Sequence, residues 1–478
     1  MNDKQEAKFQ ELTGQPVGHL VCKMAAPTII SMMVTACYNM VDTYFVGQLH
    51  SNSATGAVGV VFSLMAVIQA VGFFFGHGSG NYISRQLGRH ESGDAGKMAA
   101  TGVTLAFLAG CVILALGQIF LTPLARLLGS TDTILPYARS YLRIILLGAP
   151  YMTASFVLNN QLRFQGSAAY GMVGIAAGAV LNVGLDLLFI MVFRWGVAGA
   201  AIATVAAQLI STVACFIYAF AKYPQLRLHR EDMRITRGDI RRHVVQGVPL
   251  GLQFSVLAIG IIVMQGVVVQ FDMLDGVMVS SSAQMGFGAA NKLSSLTATP
   301  MNALGTAMTS FTAQNLGAGN HDRIRRGALQ ALGMMAIIAV AAVSCGLLLT
   351  LNNTYLHIFL SADKITADTI RFGNTFLYVD YSMYLFLGCV FITRNCVQGI
   401  GRSQFVLGAG AAELVARIAV CLVLPAAVAG GTVSAAASPA AFYALCAADP
   451  LAWIAADIIM GIPVVRNILR KDYRYMNL

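Results

Sequence analysis

Two aspartates stand in apolar surroundings where an unmatched charge is costly: Asp42 in TACYNMVDTYFVGQL and Asp186 in VLNVGLDLLFIMVF. Asn182 lies four residues before Asp186, so on a helix the two share a face, and Thr204 follows in GAAIATVAAQ. A carboxylate at the centre of a membrane helix costs about 2.5–3.5 kcal/mol on insertion scales, so one that is retained implies a function. Two carboxylates, an amide and a hydroxyl are a suitable oxygen cage for a proton or a sodium ion. Tyr38 and Asn39, one turn below Asp42, are supports for that cage. The structural alternative is that Asp42 and Asp186 only cap or bridge helices.

These residues need helices that cross a bilayer to position them. The chain has 478 residues, 57% hydrophobic and 11% charged, where a soluble domain carries roughly 25% charged residues. Apolar runs starting near residues 102 and 331 exceed the roughly 18 positions of a spanning helix. Long runs favour helices over a closed barrel, whose strands alternate in short stretches. Windows of this kind give twelve spans, near 19–47, 54–80, 98–122, 137–161, 168–192, 196–221, 245–270, 280–312, 328–351, 370–396, 404–429 and 438–466. The expected fold class is therefore an all-α integral membrane protein of twelve transmembrane helices in two pseudo-symmetric six-helix lobes.

With both termini in the cytoplasm, the inner loops collect most of the cations, among them Arg85, Arg89, Lys97, Arg227, Arg241, Arg323 and Arg470. That is the positive-inside asymmetry, and it explains the net charge of +10 without a nucleic-acid partner. The polar N-terminus lacks the pattern of a cleavable signal, so the first span is expected to be retained. Spans 1 and 5 then run outward, and Asp42, Asp186 and Thr204 fall at a similar depth. The nine cysteines occur singly and read as apolar packing residues.

The two halves of the chain resemble each other. The second span ends in a polar turn with an LG step, RQLGRH, as the eighth does in QNLGAGN; Pro27 matches Pro249, and NQLRFQGSAAYGM matches ITRNCVQGIGRSQ, at offsets between 222 and 233 residues. A duplication of six spans leaves both halves in the same orientation. The expected organisation is an N-terminal lobe over 14–221, a cytoplasmic linker over 222–244 and a C-terminal lobe over 245–466. Parallel repeats of this kind suit transport by alternating access.

In the second half the ionisable residues of the spans are Lys292, Asp380, Glu413, Arg417 and Asp457. Glu413 and Arg417, at i and i+4, read as a self-neutralising pair. Lys292 could hold Asp380 or contact a substrate, and it could equally snorkel or pack. Flexible apolar side chains together with amides, Met33, Met65, Met264, Gln69 and Gln253, suit a cavity for varied amphipathic molecules. There is no GxxxxGK[ST], HExxH or GxSxG motif, which argues against an enzyme and against ATP-driven export by this chain alone.

YNMVDTYFVGQL in span 1, LNVGLDLLFI with RWGVAGAAIATVAAQ across spans 5 and 6, and AQNLGAGNHDR after span 8 resemble the recurring motifs of the multidrug and toxic compound extrusion (MATE) family. The resemblance runs from about Gly14 to Val465. It implies two six-helix lobes that export drugs and organic cations in exchange for protons or sodium, with no cofactor besides the coupling ion. It also implies a cation site at Asp42, Asn182, Asp186 and Thr204. One branch of the family has an acidic residue early in span 7, which QGVPLGLQFSVLAIG lacks, so that branch's second site is not carried over. Lipid-linked oligosaccharide flippases of the same superfamily are the alternative substrate class, and a channel or intramembrane enzyme is a remoter one. A monomer in a bacterial inner membrane, with the bilayer and small amphipathic or cationic molecules as partners, completes the expectation.

Overall fold

The computed structural model describes residues 10–47, 52–89, 93–222 and 235–470. Helices occupy all twelve expected positions: α1 Val17–Gly47, α2 Asn52–Gly88, α3 Gly93–Ile119, α4 Leu135–Phe164, α5 Ala168–Asp186, α6 Gly196–Lys222, α7 Arg237–Gln270, α8 Ser282–Gly317 and α9 His321–Leu351. They continue as α10, broken into Ala367–Ser382 and Tyr384–Gly399, α11 Ser403–Ala429 and α12, in two pieces, Pro439–Cys446 and Ala448–Pro463. Among the described residues nine of these are long and apolar enough to cross a bilayer, and the bent α10 makes a tenth. Of the other two, α7 includes side chains outside the described residues and shows the shorter apolar stretch Ile259–Gln270, and α8 is more polar, carrying Ser294, Ser295, Thr297, Thr299 and Asn302.

The chain forms two compact units, one running to Gly251 and taking in Ala313–Asn320, the other made of Leu252–Thr312 and His321 onward. The division falls inside α7 and α8. Much of the expected linker at 222–244 lies outside the described residues.

In the first unit α4 is the central post, packed by α2, α3 and α6. Lipid tails are as apolar as leucine, so little hydrophobic force draws helices together in a membrane, and close backbone approach must supply the contact energy. α2 provides it through Gly72, Gly76 and Gly80, which lie against Phe156, Asn160 and Phe164 of α4 at the same four-residue interval. The LG steps seen in both halves have a similar explanation. Gly88 lies on the Gln314 carbonyl and Gly317 on the Arg85 carbonyl, where any side chain would force the two backbones apart.

In the second unit α12 packs on α11 and on the second half of α10, and α9 packs on the same half of α10. The α10 break bends the helix by 53° in the sequence VDYSMYLF, without proline or glycine. Side chains hold it: Ser294 donates to Asp380, the Tyr384 hydroxyl donates to the Ser294 carbonyl at 2.7 Å, and it lies 2.7 Å from Thr297 Oγ1. Between α7 and α8 a hairpin pairs β1 Met273–Leu274 with β2 Val277–Met278. Its Asp275–Gly276 turn has positive φ at both residues, as a two-residue type I′ turn requires.

The start of α7 is anchored in the first unit. Asp239 accepts from Thr236 N at 3.0 Å and from its hydroxyl at 2.6 Å, while Thr236 Oγ1 receives Asp239 N at 3.3 Å, a reciprocal capping box. Lys97 Nζ lies 2.9 Å from the same carboxylate. Burial pulls the Asp239 pKa up, but the Thr236 hydrogen bonds and Lys97 outweigh it and hold the group at about 2. A depressed carboxylate pKa stabilises the fold above the unfolded value and loses that contribution as pH falls towards 2. We therefore expect Asp239→Asn to cost about 1–2 kcal/mol at neutral pH, read as a lower thermal unfolding midpoint in detergent. The gap between variant and wild type should close between pH 4 and 2; a gap independent of pH would contradict this assignment.

Candidate functional site

The expected cage is carried by three helices of the first unit: α5 packs on both α1 and α6, and α1 also touches α6. Asp186 is fully buried, and Asn182 and Thr204 are buried one turn away and on the facing helix. Asn182 Nδ2 donates to Thr204 Oγ1 at 3.5 Å, a long hydrogen bond. The other end of the amide, Asn182 Oδ1, is buried with no hydrogen-bond partner among the described residues. A buried carbonyl oxygen left in this way is expensive and is the natural ligand of a cation or of a protonated acid. Asp42 lies on α1, the helix packed against α5; its side chain, and those of Tyr38 and Asn39, are outside the described residues.

The α-helix ends at Asp186 and continues as a π-helical stretch over Leu187–Val192, the wider turn that recurs at functional positions in helices. Phe193 N donates to the Leu188 carbonyl at 2.9 Å, five residues back. Phe189 stacks on Trp195 at 5.0 Å, and Trp195 N donates to the Phe189 carbonyl at 2.9 Å. The reversal at Arg194 and Gly196, both at positive φ, then feeds α6. Asp186 thus sits at the last regular turn of α5, directly below an irregular segment fixed by aromatic contacts.

The cavity candidates scatter. Met33, Met65 and Gln69 are half-buried in the first unit, and the Gln253 side chain is outside the described residues. Met264 is 2% exposed and Asp380 1% exposed, so neither offers surface to a substrate in this conformation. Lys292 does not hold Asp380. Its side chain is exposed with Nζ over the Phe359 ring at 5.6 Å, while Asp380 is served by Ser294.

The Glu413–Arg417 pair is part of a larger network. Arg417 Nη2 lies 3.3 Å from Glu413 Oε1, Arg394 Nη2 2.6 Å from Glu413 Oε2, and Arg417 Nε 2.7 Å from Asp449 Oδ1. Two guanidinium groups and two carboxylates thus cancel across α10, α11 and α12. Gly260 of α7 makes room for it, since a Cβ there would stand 2.6 Å from Arg417 Cδ and Nη1. Sequence reasoning missed Arg394 and Asp449 because each meets its partner on another helix, with no i, i+4 spacing in the chain to show it. The signal available was charge parity: Glu413 has two guanidinium partners, and the second guanidinium needs another acid.

Helices at all twelve expected positions, nine or ten of them among the described residues long and apolar enough to cross a bilayer, make this a multi-pass membrane protein. The MatE family pattern matches residues 27–188 and 260–423, and the chain belongs to that family. It is similar to the FAD transporter of Shewanella oneidensis, 27% identical over 68% of this chain and 71% of that protein. It is also similar to the multidrug export protein MepA of Staphylococcus saprophyticus, 26% identical over 45% of this chain. The match spans about half of MepA, 47% of its length. A solved structure described as the outward-facing conformation of a multidrug resistance MATE family transporter of the MOP superfamily aligns with a TM-score of 0.83. It covers 96% of this chain and 98% of that one at 22% identity, a likeness of fold.

Removing one member of a buried ion network leaves its partner uncompensated, at roughly 3–5 kcal/mol. Asp449→Asn should therefore lower stability by about 3 kcal/mol, measured as the unfolding midpoint of the purified protein. The double variant Arg417→Leu, Asp449→Leu should recover part of that loss, because it removes both charges together; no recovery would mean that the loss arises from packing alone.

Proposed function

We propose that the chain exports amphipathic or cationic small molecules by antiport, driven by protons or sodium ions that enter the Asp42, Asn182, Asp186 and Thr204 cage. The observation that carries this reading is the fully buried Asp186 carboxyl beside the unsatisfied Asn182 oxygen. Such a pair has low affinity for lipid and high affinity for a small cation or proton. In this reading, ion binding to the cage favours the conformation that releases substrate outside, and ion loss favours the one that loads it inside. Only a difference in affinity between the two conformations transmits the driving force. No cofactor is required. Both termini lie in the cytoplasm of a bacterial inner membrane, following the charge asymmetry of the loops, and one chain suffices because it carries both repeats.

The likeness to a FAD transporter supports a second reading of the cargo, an amphipathic anion with an aromatic ring system. Lipid-linked oligosaccharides are a third class on the same fold.

The deciding experiment is uptake of ethidium into proteoliposomes under imposed proton or sodium gradients, for wild type, Asp42→Asn and Asp186→Asn. A coupling free energy of about 1–3 kcal/mol corresponds to a five- to hundredfold effect, and gradient-driven uptake should fall within that range in either variant. Uptake unchanged in both would overturn the cage. Ethidium ignored by the wild type, with labelled FAD accumulated instead, would favour the anionic cargo.

A further inference from the structure

We propose that Asp457, in the second unit, is a proton-binding carboxyl that is held neutral as the acid in this conformation. Asp457 lies within α12, part of a 31-residue candidate membrane span. Its Oδ2 is buried and has no hydrogen-bond partner among the described residues. Its Oδ1 has one polar neighbour, Thr393 Oγ1 of α10, at 3.3 Å.

That neighbour has a single hydrogen to give. Thr393 Oγ1 lies 2.8 Å from the Cys389 carbonyl one turn back on its own helix, so the hydroxyl hydrogen is best spent there. What Thr393 then turns towards Asp457 is oxygen lone pairs. Lone pairs repel a carboxylate, but they accept a hydrogen bond from a carboxylic acid. The contact is therefore suited to Asp457 O–H donating to Thr393 Oγ1, with the proton on Oδ1 and the other oxygen uncharged in its apolar surroundings.

The nearby charges leave no other way to neutralise it. Cys389 and Arg394 face Asp457 from α10, and Glu413 from α11. Arg394 is committed to Glu413 at 2.6 Å and Arg417 to Glu413 and Asp449, so that network is balanced without Asp457. The other charged side chains of the elements packed on this helix are Asp368, Arg371 and Asp380 on the first half of α10 and Arg466 in the π-helical stretch that follows α12, with Arg371 paired to Asp368; the remaining titratable groups there are thiols and phenols, Cys396, Cys421 and Cys446 and the tyrosines of α10 and α12. Asp380 is served by Ser294. A metal cation needs several ligands around it, and among the described residues no cluster of three or more His, Cys, Asp and Glu side chains could hold one, so the ligand is a proton. The proposal concerns the protein itself and stands apart from which cargo it carries or which ion fills the first unit's cage.

The test is infrared spectroscopy of the full-length protein in lipid nanodiscs, following the C=O stretch of protonated carboxyls as pH is raised. Wild type should show such a band near neutral pH, Asp457→Asn should lose one carboxyl's share of it, and Asp380→Asn should leave that share in place. Thr393→Val removes the acceptor and should shift the band's frequency. Should Asp457→Asn fail to fold, Asp457→Glu serves, with a displaced band as the supporting result. A band identical in wild type and in the Asp457 variant, or its absence from wild type, overturns the proposal.

Discussion

A charge carried into a bundle surrounded by hydrocarbon has to meet an opposite charge, a hydrogen-bond donor or a proton, and the helices of this chain are arranged around how each one is met. In the second unit the match is made by fixed ions. Arg394 and Arg417 reach Glu413 and Asp449 across three helices, which ties α10, α11 and α12 to one register, since sliding any of them would strand a guanidinium in a low-dielectric interior. Gly260 then follows as a requirement, because the Arg417 side chain occupies the space a larger residue on α7 would need. In the first unit Asn182 and Thr204 meet as an amide and a hydroxyl, and the amide oxygen is left without a hydrogen-bond partner among the described residues.

The same constraint explains why backbone contact matters so much in the first unit. Where apolar burial between helices gains little over contact with lipid, packing has to be close. The glycine ladder of α2 brings α4 near enough for hydrogen bonds to cross in the interior: Gln161 Nε2 donates to Ser79 Oγ at 3.0 Å and to the Ala99 carbonyl at 3.1 Å, joining α2, α3 and α4. Thr153 Oγ1 reaches the Ala106 carbonyl at 2.7 Å in the same way. These bonds cross between helices that also share an apolar cluster, Leu64, Ile68, Ile145 and Met152 among it.

Much of this was legible in the sequence. The positions of twelve helices followed from hydropathy, and the burial of Asn182, Asp186 and Thr204 on two neighbouring helices followed from spacing and depth, because helix periodicity and bilayer thickness are both regular. What stayed hidden depends on contacts between residues far apart in the chain. The α10 break has no proline or glycine to announce it, and it exists because Asp380 and Tyr384 find Ser294 and Thr297 some 86 to 90 residues away. The Arg394 and Asp449 partners were hidden because they reach Glu413 and Arg417 only across helices, at no regular spacing in the chain. For Lys292 the sequence left holding Asp380, contacting a substrate, snorkelling and packing open, because a flexible lysine stem lets the ammonium reach a carboxylate, an aromatic face or the surface; its Nζ lies over the Phe359 ring.

The two repeats share a scaffold, yet their polar residues have diverged, and the divergence separates two physical roles. An arginine at a site that must load and unload an ion would be a permanent occupant, because its guanidinium stays protonated at any physiological pH and competes with the incoming cation. Fixed ion networks therefore belong where a unit must keep its shape, and carboxyls matched by amides, hydroxyls or a proton belong where charge must be exchanged. Arg394 and Arg417 sit wholly among the former, while Asn182 and Thr204, buried on facing helices beside the Asp186 turn, meet as an amide and a hydroxyl. Asp457, beside the rigid network but outside its charge balance, is where the second unit retains an exchangeable proton.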